Sequence, residues 1–195
     1  MRASQRAAHG AALLLVLTGA ARACPLATDL AEGIAFVERK GALTLLRAAG
    51  EDVVAMKELD ALGQSKRNGG HALYGLYPLS TQAEEAVFRF TWPEGLDTLP
   101  HPQLGLTVEL PVIIGQDALT FPAIFTMAVG DSPAALRLAA CTLEMWGILT
   151  EVELQPEVGF ATFHYWFPSL GIGVPARTEI NGVVKESYDY VGLEW

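Results

Sequence analysis

From residue 33 onward, apolar and polar positions alternate with a period of two, and β-branched and aromatic residues dominate. The pattern predicts strands over 33–39, 42–48, 52–59, 72–78, 86–92, 104–114 and 118–129, and again over 159–167, 172–180 and 183–191. In 86–92, Phe88, Phe90 and Trp92 share one face while Arg89 and Thr91 share the other, the mark of a half-buried strand. Lys40-Gly41 suits a tight turn between the first two strands. Asn181-Gly182, lying between two alternating runs, is the strongest short hairpin signal in the chain.

The polar, glycine-rich stretch 62–70 predicts a loop, as does the proline-punctuated stretch 93–103. Pro111 and Pro122 lack the N–H that a ladder needs, so each predicts a sheet edge or a bulge. Residues 135–154 read as two strands broken near Gly147, with a helix after Ser132-Pro133 as the alternative for 135–146. A short helix over 25–32, capped by Thr28, completes the prediction. The fold class is all-β and mainly antiparallel, with about ten strands in a curved open sheet, a barrel or a sandwich.

The first 23 residues stand apart from this pattern. Arg2 and Arg6 precede a short apolar run over 11–17, Gly19 breaks it, and Ala21-Arg22-Ala23 offers the small-x-small sequence that signal peptidase accepts. The run is shorter than the roughly 20 apolar residues that span a bilayer. Residues 1–23 are therefore expected to be a signal peptide, with 24–195 a single exported domain, periplasmic or secreted. The signal holds three of the 13 basic residues and none of the 22 acidic ones, which leaves a mature net charge of −12. Such a surface disfavours nucleic acid and anionic lipid as partners. Residues 104–129 are apolar on average, but Glu109, Gln116, Asp117 and two prolines interrupt them, so no transmembrane segment is expected.

Two cysteines remain, Cys24 and Cys141. In an oxidising compartment the pair reads first as one disulfide closing a loop of more than a hundred residues. The rival reading makes Cys24 a lipid-modified first residue, although Ala21 and Arg22 depart from the aliphatic and small residues that this reaction normally uses.

Catalytic signatures are weak. His71, His101 and His164 have no metal-ligand spacing, and Ser65, Ser80, Ser132, Ser169 and Ser187 lack a Gly-x-Ser-x-Gly elbow. No phosphate-binding glycine loop occurs. Glu151 with Glu153, or Glu179 with Glu186, would make acid–base pairs only if the fold brought them into a cleft. The expectation is a non-enzyme without cofactor or metal.

Aromatic residues form the one suggestive constellation. Phe163-His164-Tyr165-Trp166-Phe167 puts rings on both faces of one strand, and Phe88, Phe90, Trp92, Trp146, Tyr188 and Tyr190 lie on others. One reading is a packed core. The other is an apolar ligand held on the inner face of a curved sheet by Trp166, Trp146, Phe90 and Tyr188, with His164 and Arg89 as polar anchors.

The segment Tyr165-Trp166-Phe167-Pro168-Ser169-Leu170-Gly171-Ile172 resembles the C-terminal aromatic-x-Pro-x-Leu-Gly hairpin of certain proteobacterial periplasmic proteins. Gly75-Leu76-Tyr77-Pro78-Leu79 is a second echo, and Ser169 stands where a glycine is common. That resemblance implies an architecture like that of the lipoprotein localisation factors, an open curved antiparallel sheet closed by helices, although this sequence offers little for the helical lid, and it brings no catalytic residues with it. The expected function is that of a periplasmic protein carrying an apolar or amphipathic small molecule. The alternative is an envelope accessory protein that contacts another envelope protein through an exposed strand edge or loop, with apolar surface near the 93–103 loop or the Pro111 edge.

Overall fold

The structure is a computed structural model and describes residues 24–83, 86–154 and 158–195. The expected signal peptide lies outside the described residues. Fourteen strands are described: β1 (Ile34–Glu38), β2 (Leu43–Ala48), β3 (Val53–Leu59), β4 (Ser65–Leu73), β5 (Tyr77–Ala83), β6 (Ala86–Thr91), β7 (Thr107–Gln116), β8 (Leu119–Val129), β9 (Ala134–Leu138), β10 (Cys141–Leu154), β11 (Val158–Phe167), β12 (Ile172–Ile180), β13 (Val183–Ser187) and β14 (Tyr190–Glu194). Every pairing is antiparallel, in the order β13-β12-β11-β10-β8-β7-β6-β5-β4-β3-β2-β1-β14, with β9 also pairing β10. The sheet curls without closing into a barrel. Its helical content among the described residues is two 3-10 turns, Ala27–Ala31 and Leu96–Thr98.

Two hydrophobic cores fill the curl. One, the terminal core, gathers Ile34, Phe36, Leu46 and Val54 from the start of the chain with Leu138, Cys141, Phe167, Ile172, Val174, Tyr188 and Tyr190 from its end. The other, the meander core, holds Leu73, Leu76, Tyr77, Trp92, Val112, Phe125, Met127, Ile148 and Trp166. Strand β11 is the partition between them. Side chains alternate along a strand, so Trp166 points into the meander core while Phe167 points into the terminal core, and both are fully buried. This explains a strand with aromatic rings on both faces.

Local chemistry accounts for several elements. Asn181 and Gly182 have φ of 52° and 73°, the paired positive angles of a tight hairpin turn, and they join β12 to β13. Pro111 and Pro122 both sit where a neighbouring strand has stopped: β6 pairs β7 only from Ile113, and β10 pairs β8 only from Ala123. Neither missing N–H therefore interrupts a ladder. The 3-10 turn begins differently from expectation: the Asp29 carboxylate, not Thr28, accepts the Leu26 N–H at 2.8 Å.

The structure corrects four other assignments. Residues 65–70 are strand, not loop, because β4 is clamped between β3 and β5. A Cβ on Gly69 would lie 2.7 Å from the Met56 carbonyl oxygen, so glycine is what admits this close pairing. Residues 72–78 are not one strand but a reversal, with Tyr74 at φ 56° and Gly75 at φ 70°. The break in 135–154 falls at 139–140, where Ala139 takes φ 52°, while Gly147 stays extended opposite Tyr165, and no helix forms there. Finally, the run 183–191 breaks after Ser187, and β14 crosses over to pair with β1.

Candidate functional site

The disulfide joins Cys24 to Cys141, whose Cα atoms are 5.3 Å apart. It ties the segment before the first 3-10 turn to the start of β10, across 117 positions of chain. A sulfur in a disulfide has no thiol to give to a lipid, so the two fates considered for Cys24 exclude one another.

The six residues predicted to line a ligand site do not converge. Trp166 is buried against His101 and Tyr74, with ring centroids 5.4 and 6.4 Å away. Trp146, its direct cross-strand neighbour, is half-buried and donates its indole N–H to Glu144 at 2.9 Å. Phe90 packs half-buried on the edge of the same meander core. His164 lies two positions from Trp166 on the same face, with Nε2 3.0 Å from Thr150 Oγ1. Burial pushes the His164 imidazole down to about 3, so it is neutral. Arg89 is exposed, and its place in the alternation of β6 puts it opposite Phe90. Tyr188 belongs to the terminal core. Solid packing surrounds the aromatic group: Tyr77, Trp92 and Phe125 lie 5.1–5.6 Å apart, and Tyr77 donates to the Pro100 carbonyl at 2.7 Å.

Concavity is found elsewhere. An open groove of about 340 Å³ runs between the first 3-10 turn, the β2–β3 turn and the β11–β12 turn, lined by Leu30, Val53, Val54, Pro168, Leu170 and Ile172, with Asp52 among its polar groups. Among the described residues no three His, Cys, Asp or Glu side chains are placed to hold a metal, and no helix is long and apolar enough to cross a membrane.

The most distinctive surface lies at the ends of the hairpins. In an antiparallel meander alternate connections fall at one end, here those of β3–β4, β5–β6, β7–β8, β10–β11 and β12–β13. Ten of the thirteen exposed large apolar side chains among the described residues belong to these hairpins: Leu62, Val87, Ile113, Leu119, Phe121, Ile124, Val158, Phe160, Val183 and Val184. The other three, Leu26, Leu96 and Leu104, sit at the opposite end. The β7–β8 hairpin is apolar on both faces. Leu119 and Phe121 pair with Gln116 and Ile114 on the face that leads into the meander core, whereas Ile113 opposite Pro122 and Pro111 opposite Ile124 occupy the other. Acidic residues border that second face, with Glu153 directly opposite Ile124 and Glu109 and Glu151 in the next row. Sequence reading pointed to the Pro111 edge as one of two places for an exposed apolar surface, and Pro111 lies on this hairpin; it did not single out Leu119, Phe121 or Ile124, because an apolar strand residue looks the same whether or not another layer covers it.

No family model and no curated protein matches the chain. Among solved structures it is similar to the hypothetical lipoprotein YmcC from Escherichia coli, with 11% identity, a TM-score of 0.45, and coverage of 83% of this chain and 81% of that one.

Proposed function

We propose that this is an exported accessory protein of the cell envelope that works by docking another protein onto its hairpin tips, and that it is not an enzyme. The observation that carries this reading is the apolar β7–β8 hairpin, exposed on both faces. A small ligand uses one face; a protein that embraces the hairpin uses two. Exposed apolar clusters of this kind mark interaction sites on soluble proteins. The mature charge of −12 and the border of Glu109, Glu151 and Glu153 set the chemistry of the partner: an apolar surface with a neutral or basic rim. The disulfide and the N-terminal pattern support export.

A photo-crosslinking side chain placed at Leu119, and in a second variant at Leu96, tests this in the producing cell. A discrete protein adduct from position 119, abolished by Ile124→Asp and absent from position 96, is the expected result. Equal capture at both positions, or adducts with lipid alone, overturns it. A second reading has one observation of its own. The 340 Å³ groove falls within the volume range of small-molecule sites, and Pro168, Leu170 and Ile172 of the aromatic-x-Pro-x-Leu-Gly segment line it. A saturable apolar dye displaced after Leu170→Glu substitution would favour that reading.

A further inference from the structure

Alternation along β11 turns His164 and Trp166 to the same side of the sheet, two polar-tipped rings in an apolar core. Each keeps one polar atom that neither packing nor docking accounts for. His164 Nδ1 and Trp166 Nε1 are buried and have no hydrogen-bond partner among the described residues. The side chains that carry them are 7% and 0% exposed, so bulk solvent does not serve them. Buried polar atoms are nearly always paired, and two orphans on one strand face call for a common cause.

The other edge of the imidazole fixes where the ring hydrogen sits. A hydroxyl has one hydrogen. Thr150 gives it to the Thr162 carbonyl at 3.4 Å, so the Thr150 oxygen accepts where it meets His164 Nε2 at 3.0 Å. Nε2 therefore carries the ring hydrogen. Burial keeps the imidazole neutral, which leaves Nδ1 a bare acceptor. The Trp166 indole N–H is a bare donor. Strand rise sets the two side chains about 6.6 Å apart at their roots, and they do not bond one another. Their cross-strand neighbours do not help. On β10 these are Ile148 and Trp146, whose indole N–H is given to Glu144. On β12 they are Pro175 and Gly173, which have no side-chain donor or acceptor. The His101 and Tyr74 rings lie near Trp166, but a π face is a second-order acceptor and does nothing for Nδ1.

We propose that the meander core binds one water molecule, which accepts the Trp166 indole N–H and donates to His164 Nδ1. Water is the smallest molecule that accepts and donates through a single atom, and it is the usual answer to orphaned polar groups in a core. Two N···O contacts through one oxygen span about 5–6 Å, which fits side chains two positions apart on a strand. With the water in place every donor points the same way, from Trp166 through water, His164 and Thr150 to the Thr162 carbonyl. Hydrogen bonds aligned in this sense strengthen one another. The site does not depend on the docking surface at the hairpin tips.

Proton NMR of the disulfide-bonded protein tests this, with Trp166→Phe used to assign the indole proton. The expected result is a cross-peak between that proton and water, its NOE and ROE of opposite sign as for a long-lived bound water. In His164→Leu the indole signal should remain and the water cross-peak should be lost. Nitrogen-15 shifts of the His164 ring in the native protein should place the hydrogen on Nε2 and show Nδ1 accepting a hydrogen bond. No water cross-peak in the native protein overturns the proposal, as does a cross-peak that persists in His164→Leu or a ring hydrogen on Nδ1. An indole proton shifted by the His101 ring, released by His101→Ala and without a water cross-peak, replaces the water with a π contact. Should His164→Leu fail to fold, the two native-protein measurements still decide.

Discussion

The two cores are of similar kind but are assembled in opposite ways. The meander core is built largely from β4 to β8, strands consecutive in the chain, with Trp92 and Leu99 of the long β6–β7 connection, and with β10 and β11 closing it. The terminal core brings residues near 30–54 together with residues near 138–190, across the length of the chain. Loop-closure entropy is small for the first and large for the second. The disulfide is placed accordingly. Cys141 is itself a member of the terminal core, and Cys24 packs against it. A covalent tie is needed where the chain must meet itself at long range.

Four experiments sharpen or break this comparison. The largest effect is expected from Cys141→Ser. For a loop of 117 residues the chain-entropy argument gives about 5 kcal/mol, measured by denaturant unfolding. Exchange protection should fall first around Phe36 and Tyr190 and last around Phe125; a uniform loss would show that the cores are not separable. Labelling the unfolded, unreduced native protein should find no free thiol.

Next come two adjacent residues, Trp166 and Phe167. Each substitution to alanine should cost about 3–5 kcal/mol. Trp166→Ala should loosen the amides around Tyr77 and Val112, and Phe167→Ala those around Ile34 and Ile172. Identical patterns from both would remove the partition role of β11.

The meander core should also respond to pH. His164 stays neutral in the folded protein down to about 3, whereas an unfolded histidine binds a proton below about 6.5. Stability contributed by the neutral histidine is full above that value. It is lost at up to about 1.4 kcal/mol per unit as pH falls between the two values. Histidine-to-leucine substitution at position 164 should flatten the acid limb of a stability–pH curve. The smallest expected change is that of Ile124→Asp, an exposed site where stability should move by less than about 0.5 kcal/mol while crosslinking at Leu119 disappears.

Much of the sheet was legible because period-two alternation is a local property. The Asn181-Gly182 hairpin and the double-faced aromatic strand could be read from a handful of neighbouring residues. The failures share a cause. Ser65–Gly70 carries no apolar alternation, and only clamping by β3 and β5 makes it a strand. Tyr188 and Tyr190 continue the alternation of β13, yet the chain leaves the sheet edge between them because β1 offers a partner more than 140 residues away. The candidate site was less legible still. Aromatic residues were the obvious choice for a ligand, but Trp166 and Phe167 spend their surface on two cores. Leu119 and Ile124, which no other layer covers, carry no distinguishing mark in the sequence.

The reversal at Tyr74 and Gly75 meets the start of β12: Gly173 donates its N–H to the Tyr74 carbonyl at 2.7 Å, and a Cβ on Gly75 would collide with the Gly173 backbone. Likewise a Cβ on Gly173 would run into Leu76. The two segments singled out for their resemblance to periplasmic hairpins therefore meet through the residues beside them; Gly75 cannot gain a side chain without displacing Gly173, nor Gly173 without displacing Leu76. Such a steric constraint admits no side chain at either glycine, whereas the apolar positions around it can accept other apolar residues of similar volume. Distant kin of this fold should thus be recognisable by a paired fingerprint, Tyr-Gly-Leu-Tyr-Pro and Leu-Gly-Ile-Gly about a hundred residues apart, where overall identity has already faded.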